Sequence, residues 1–316
     1  MISIILLLVS VLNMVLFHSF QDFFFPAYRS FSKAWIGFLA GVFSFIKGSV
    51  WDIGLIVLLL LFIFHTIVSI VGKKGFLSWL SGVLAVISVL VFLAVNGWML
   101  NHYAPSLSES VGLTIRQYSE DELYESCEYY LLKAAEYAPL VKRDSENHAM
   151  KSEFYSTAEK AGQSYDRLSE KYPAFKGCNK PVQKFSVIGE YLMYNGIVGM
   201  FMPLTGEASV PERVPAIQLA FTMCHEAAHR LGIASEQEAN YAAFLSCISS
   251  DDSCFIYSGY YSAFSYCFSA LSGSNQERAM SLYEKHSENN GVYLVRLDRH
   301  DTFERSEEHT SELQSR

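Results

Sequence analysis

The 316-residue chain is half hydrophobic by composition and carries a formal net charge of −8, and neither property is evenly spread. Nearly all of residues 1–100 are apolar or aromatic, which leaves 19 of the 24 Lys and Arg and 30 of the 32 Asp and Glu to the remainder. So acidic a remainder disfavours nucleic acid, whose phosphates need a basic surface, while the apolar third implies a lipid bilayer as partner.

Residues 1–17 are apolar apart from Ser3, Ser10 and Asn13, and no small-residue cleavage site follows them, so an uncleaved membrane anchor is expected. Residues 18–51 are mixed and contain Arg29, Lys33 and Lys47. Within them, 35–46 is apolar but shorter than the roughly 20 residues a span needs, which predicts a segment lying in the membrane interface. Residues 52–71 and 76–97 are two further spans, joined as a hairpin by the polar turn Lys73-Lys74-Gly75. His65, inside the second span, is expected to bond to a neighbouring helix. If Lys73 and Lys74 are cytoplasmic, the large domain lies outside the cell, which suits six cysteines, an even number. The three basic residues of 18–51 argue for the opposite orientation.

Beyond residue 100, helical periodicity covers 120–137, with Leu123, Cys127, Tyr130, Leu131 and Ala134 on one stripe. A charged helix follows at 150–171 and ends before Pro173. The glycine-rich stretch 180–210 predicts a small β element. Residues 202–210 read either as an edge strand that pairs with a substrate backbone through the region of Gly206 and Glu207, or as a loop on the next helix. Further helices are predicted at 257–271 and 275–285, with His286 exposed. Cys127, Cys178, Cys224, Cys247, Cys254 and Cys267 show no C-x-x-C spacing, so they are either buried small apolar residues or disulfide partners.

The organising stretch is Cys224-His225-Glu226-Ala227-Ala228-His229-Arg230-Leu231-Gly232. Residues 215–230 have no Gly and no internal Pro, and Ile217, Ala220, Phe221, Cys224, Ala228 and Leu231 recur at helical spacing. On a helix, His225 and His229 lie one above the other and can offer two imidazole nitrogens to one metal ion, with Glu226 beside it as a proton acceptor. Pro215 suits the first turn and Gly232 the stop.

Two glutamates compete to be the third ligand. Ser235 and Glu238 have the S-x-x-E spacing of a capping box, which would occupy Glu238. Glu236 is then the expected ligand and Glu238 the alternative, with Asn240 one turn later positioned to hold a histidine by hydrogen bond.

Trp98-Met99-Leu100-Asn101, Thr205-Gly206-Glu207-Ala208, the Cys-His-Glu-x-Ala-His run from 224, Glu236-x-Glu-Ala-Asn and Tyr257-Ser258-Gly259-Tyr260 resemble a bacterial membrane family catalogued as domain of unknown function 3810. The resemblance covers most of the chain and implies a zincin-like metallohydrolase domain over 101–304 behind three membrane spans. The Glu-x-x-Ala-Asn run is also similar to the Glu-x-x-Ala-Asp of membrane peptidases related to the CAAX prenyl protease and the heat-shock protease HtpX. In those proteins the first Glu binds metal, which implies the same role for Glu236. This chain departs from them in having Asn240 for Asp and only six residues between His229 and Glu236. Residues 305–315, Arg-Ser-Glu-Glu-His-Thr-Ser-Glu-Leu-Gln-Ser, resemble an in-frame translation of a sequencing-library adapter, so 305–316 is expected to be an artefact tail.

The expected fold is mainly α, with a three-helix transmembrane region over 1–100 and an α-rich domain carrying a small β element. The expected function is a peptidase of the bacterial cell membrane, its large domain extracytoplasmic, acting on a peptide or protein substrate. Zn2+ held by His225, His229 and Glu236 would lower the pKa of a bound water to about 7, and Glu226 would be the general base. The alternative is a non-catalytic sensor or scaffold, in which a structural metal would normally have four protein ligands.

Overall fold

Three helices long and apolar enough to cross a membrane open the chain: α1 (Ile2–Val42), α2 (Val50–Val71) and α3 (Phe76–Gly97). The computed structural model describes residues 2–145, 149–177 and 183–287. The adapter-like residues 305–316 and Cys178 lie outside the described residues. The second and third spans fall where hydropathy places them, and Lys73 turns between them with φ 49°. His65 Nε2 bonds to Trp79 O at 3.1 Å across the hairpin, as expected of a lone intramembrane histidine.

The first helix differs from the expectation. Residues 35–46 do not form an element of their own, because 35–42 are the last turns of the 41-residue α1. The backbone leaves helical geometry only at Phe20 (φ −138°, ψ 39°) and runs on through Pro26. Phe25, Tyr28, Ser32, Ile36 and Ala40 are buried at intervals of three or four and so form one continuous face. That face meets α3 and the large domain. Ser32 Oγ donates to Gly97 O at 2.9 Å, and the Gly206 turn is so close that a Cβ there would lie 2.6 Å from Ile36 O. The kink at Phe20 thus divides α1 into two helical pieces, near the place where polar residues begin, and long-range packing fixes the second piece.

The remainder is a helical domain with one small sheet. After α4 (Leu107–Val111) come α5 (Glu120–Tyr137), α6 (Phe154–Lys171), β1 (Lys184–Phe185), α7 (Val187–Leu192), β2 (Met200–Met202) and β3 (Glu207–Val210). Then follow α8 (Ala216–Arg230), α9 (Glu236–Ile248), α10 (Ser253–Ser274) and α11 (Gln276–Lys285). Ser119 and Glu122 form a reciprocal capping box that starts α5. Leu131 and Cys127 of its predicted stripe pack with Tyr257, Phe264 and Leu271 of α10 in one core cluster. A second cluster surrounds α8 with α6, α9 and Val210 of β3.

The sheet corrects the expected edge strand. Its order is β1-β3-β2, with β1 parallel and β2 antiparallel to β3, so β3 is the central, fully buried strand. Among the described residues the edge strands are β1, whose Phe185 is bridged by Gly48, and β2, at 200–202. Glu207 is only 3 % exposed, and its carboxylate accepts from Val50 N (3.1 Å), Trp51 N (3.0 Å) and Lys184 Nζ (2.5 Å). Gly206 and Glu207 therefore join the domain to the membrane helices, and neither lines the cleft beside the histidines. A reciprocal cap completes the joint: Asp52 of α2 accepts from Ser186 Oγ (3.0 Å), Val187 N (2.7 Å) and Ile188 N (3.1 Å) at the start of α7. An anion at each helix N-terminus satisfies otherwise unpaired N–H groups and opposes the helix dipole.

Candidate metal centre

Helix α8 carries the Cys224–Arg230 run through the middle of the domain, and Gly232, at φ 88°, ends it. A substituent at Gly232 would come within 3.0 Å of Asn101 Oδ1, so the turn needs glycine for both its conformation and its clearance. That tight turn brings the start of α9 back over α8. Ile233 O receives the His229 Nδ1–H at 2.7 Å.

The two histidines present their other nitrogens to each other, Nε2 to Nε2 at 3.1 Å. Glu236 faces both, with Oε2 3.2 Å from His225 Nε2 and Oε1 3.5 Å from His229 Nε2. One ligand atom from each of the three lies within 4.8 Å of the others. His225 Nδ1 is held by Asn240 Oδ1 at 2.8 Å, and the same oxygen accepts from Tyr266 OH at 3.2 Å. With acceptors on both Nδ1 atoms, the protons sit at Nδ1 and the Nε2 lone pairs point at the space the three residues share. Burial, and then the nearby His229, push the His225 pKa down, which keeps that imidazole neutral and able to donate its lone pair. Two neutral imidazoles and a carboxylate are the donor set of a zinc site with an open position, so the residues present fit zinc.

Glu226 stands one residue round the helix from His225 and is 4 % exposed. Its Oε2 has no hydrogen-bond partner among the described residues. Burial, and then the charge of Glu236, raise its pKa well above the ordinary carboxylate range. Gly199 lies directly against it, and a Cβ there would sit 2.3 Å from Glu226 Oε1. The centre forms the floor of a cleft of about 590 Å³ whose walls include Trp98, His102, Gly199, Phe201 and Tyr266.

The structure changes the part of the capping argument that concerns Glu238. Ser235 Oγ does accept from Glu238 N at 3.4 Å, but the Glu238 carboxylate leaves its own helix and accepts from Leu107 N (2.8 Å) and Ser106 Oγ (3.0 Å) at the start of α4. It is occupied by a different helix end and stays away from the histidines. His286 is also not the exposed residue expected, since its side chain is 15 % exposed and its Nε2 lies 2.5 Å from Glu128 Oε1.

A family model described as "Protein of unknown function (DUF3810)" matches residues 27–313. The chain belongs to this family. No curated protein and no solved structure matches it. In this DUF3810 member, several residues of the centre escape a reading by local spacing. Trp98 Nε1 donates to His229 O at 2.9 Å, and its ring packs edge-on to the imidazole with centroids 6.2 Å apart. Asn101 ties the same junction by donating to Trp98 O (2.7 Å) and Ser32 Oγ (3.0 Å). Tyr266 arrives from α10. The one available signal was the Trp98-Met99-Leu100-Asn101 run of the family, a polar and aromatic break directly after an apolar span. Among the described residues no cysteine is in a disulfide: Cys127, Cys224 and Cys247 are buried, and Cys254 and Cys267 are partly exposed.

Proposed function

We propose that this chain is a zinc-dependent peptidase anchored in the bacterial cell membrane, akin in its site to zincins and to the HtpX and CAAX prenyl protease relatives. The observation that carries the reading is the pairing of a three-donor centre with a buried carboxyl group, Glu226, whose Oε2 has no hydrogen-bond partner among the described residues, on the floor of an open cleft. Bound by His225 Nε2, His229 Nε2 and Glu236, zinc supplies a Lewis acid and a local positive charge, which polarise a peptide carbonyl, acidify water and lower the Glu226 pKa toward that of a working base. Glu226 then takes a proton at a carboxylate oxygen and returns it to the departing amine nitrogen. Asn240 and Ile233 O hold the two imidazoles in the tautomer the ligands need. The free side of β2 offers backbone groups to an extended peptide. A lipid bilayer around α1 to α3 and an extracytoplasmic domain complete the reading.

The scaffold alternative needs a metal enclosed by four protein ligands. Among the described residues the cluster has three, and the Glu236 side chain is 72 % exposed. The deciding experiment is Glu226→Gln in the full chain, which keeps shape and removes basicity. The expected result is unchanged zinc content and peptide cleavage reduced by at least about a hundredfold. Undiminished cleavage at full zinc occupancy refutes the mechanism, and chelator-insensitive cleavage refutes the metal.

A further inference from the structure

Beside the metal cleft lies a second cavity of about 260 Å³, walled by Trp51 and Leu55 of α2, Met202 of β2 and Ser209 of β3. Ile197, Gly199 and Met200 line both spaces, so the two are adjacent and share this segment as a wall. At Gly199 that wall carries no side chain and lies against Glu226. Most of the lining is apolar. Asp52 also borders the cavity, but its carboxylate is engaged by Ser186, Val187 and Ile188. Ser209 differs: it is 6 % exposed, and its hydroxyl has no partner among the described residues. A buried hydroxyl without a partner costs free energy unless something bound there answers it.

We propose that this cavity is a substrate subsite of the cleft, one that takes a large apolar side chain from an extended polypeptide presented at the membrane surface. The proposal rests on the peptidase reading and specifies its substrate class. Four observations carry it. The volume suits one large side chain and falls below the range of about 300 to 1,000 Å³ usual for drug-sized ligands and cofactors. Side chains alternate along β2: Met200 and Met202 border the cavity, while Phe201 turns the other way and packs on Trp98 with ring centroids 5.0 Å apart. A peptide added to that edge alternates in the same way, so every second residue reaches the cavity or the floor near Glu226. The Ser209 hydroxyl can bond a polar atom of that residue. Finally, Trp51 and Leu55 belong to the first turns of an apolar span, where an aromatic residue marks the boundary between bilayer and water.

The test uses the full chain in lipid nanodiscs, loaded with zinc and carrying Glu226→Gln so that binding is read without turnover. The probes are fluorescein-labelled decapeptides of Ser, Gly and Thr with a single Phe or Ala placed at successive positions, followed by fluorescence anisotropy. Wild-type cleavage of the same peptides is measured in parallel. The expected result is one position at which Phe binds about tenfold to a hundredfold more tightly than Ala, the range expected for full burial of one aromatic side chain. Ser209→Leu, which fills the cavity from the sheet, and Leu55→Trp, which fills it from the membrane helix, should each remove that preference. Zinc content and circular dichroism identify which variants are folded. Tight binding with no positional preference, or a preference that both folded variants retain, overturns the subsite while wild-type cleavage leaves the peptidase reading standing. Peptides that are neither bound nor cleaved overturn both.

Discussion

Glu207 separates two views of the sheet, and its replacement by Gln has a calculable outcome. In the structure this carboxylate is a buried hinge pin: it holds Lys184 Nζ at 2.5 Å and receives the first N–H groups of α2 from Val50 and Trp51. Lys184 also donates to Phe43 O at 2.6 Å, just beyond the end of α1, and its side chain is 6 % exposed. Gln preserves the shape and can still accept a hydrogen bond, but it leaves the ammonium group buried without a counter-charge. Removing one partner from such a pair costs about 3–5 kcal/mol. For a domain of this size, at roughly 2–4 °C per kcal/mol, that is a fall of about 10 °C in Tm. Differential scanning calorimetry of the detergent-solubilised chain measures it, with zinc content unchanged because no ligand is touched. Adding Lys184→Met to Glu207→Gln should recover part of the loss, since it removes the uncompensated charge. A cost below about 1 kcal/mol, or intact stability with weakened peptide binding, would restore Glu207 to the substrate-facing role that its place in the sequence suggests.

Glu236→Gln should lose most of the zinc by elemental analysis. Glu238→Ala should keep it and cost about 1–3 kcal/mol of stability, because Leu107 N and Ser106 Oγ lose their acceptor. The reverse ranking would exchange their roles. Asn240→Ala frees the His225 ring from its Nδ1 acceptor and should weaken zinc binding about 10- to 100-fold in a chelator competition, without abolishing it. A reporter active only outside the cytoplasm, fused after Glu304, should give signal where its cytoplasmic counterpart gives none. The opposite pattern would place the large domain inside.

The sequence by itself determined whatever depends on neighbours along the chain. The spans at 52–71 and 76–97 follow from long, largely apolar runs. His225 and His229 share a face because four residues make about one helical turn, and Ser235 starts α9 because its hydroxyl reaches an N–H three residues on. The position of Glu236 was legible in the same way, as the first residue of a capped helix, with six residues between it and His229. Tertiary structure decided what joins residues far apart. Polar residues in 18–51 suggest a broken first helix, and α1 does kink at Phe20, but its second piece runs unbroken to Val42 because its polar and aromatic face meets Gly97, Leu100 and the Gly206 turn. Glu207 lies in a tetrapeptide whose local sequence suggests an edge strand, and only the sheet order, which makes β3 central, buries it against the start of a membrane helix 156 residues earlier. Glu238 caps α4 across an equally long separation, and Trp98 supports His229 from the end of a span. Local spacing fixes which residues share a face. It carries no information about which distant backbone group or cavity that face will meet, because those contacts form only when the chain packs.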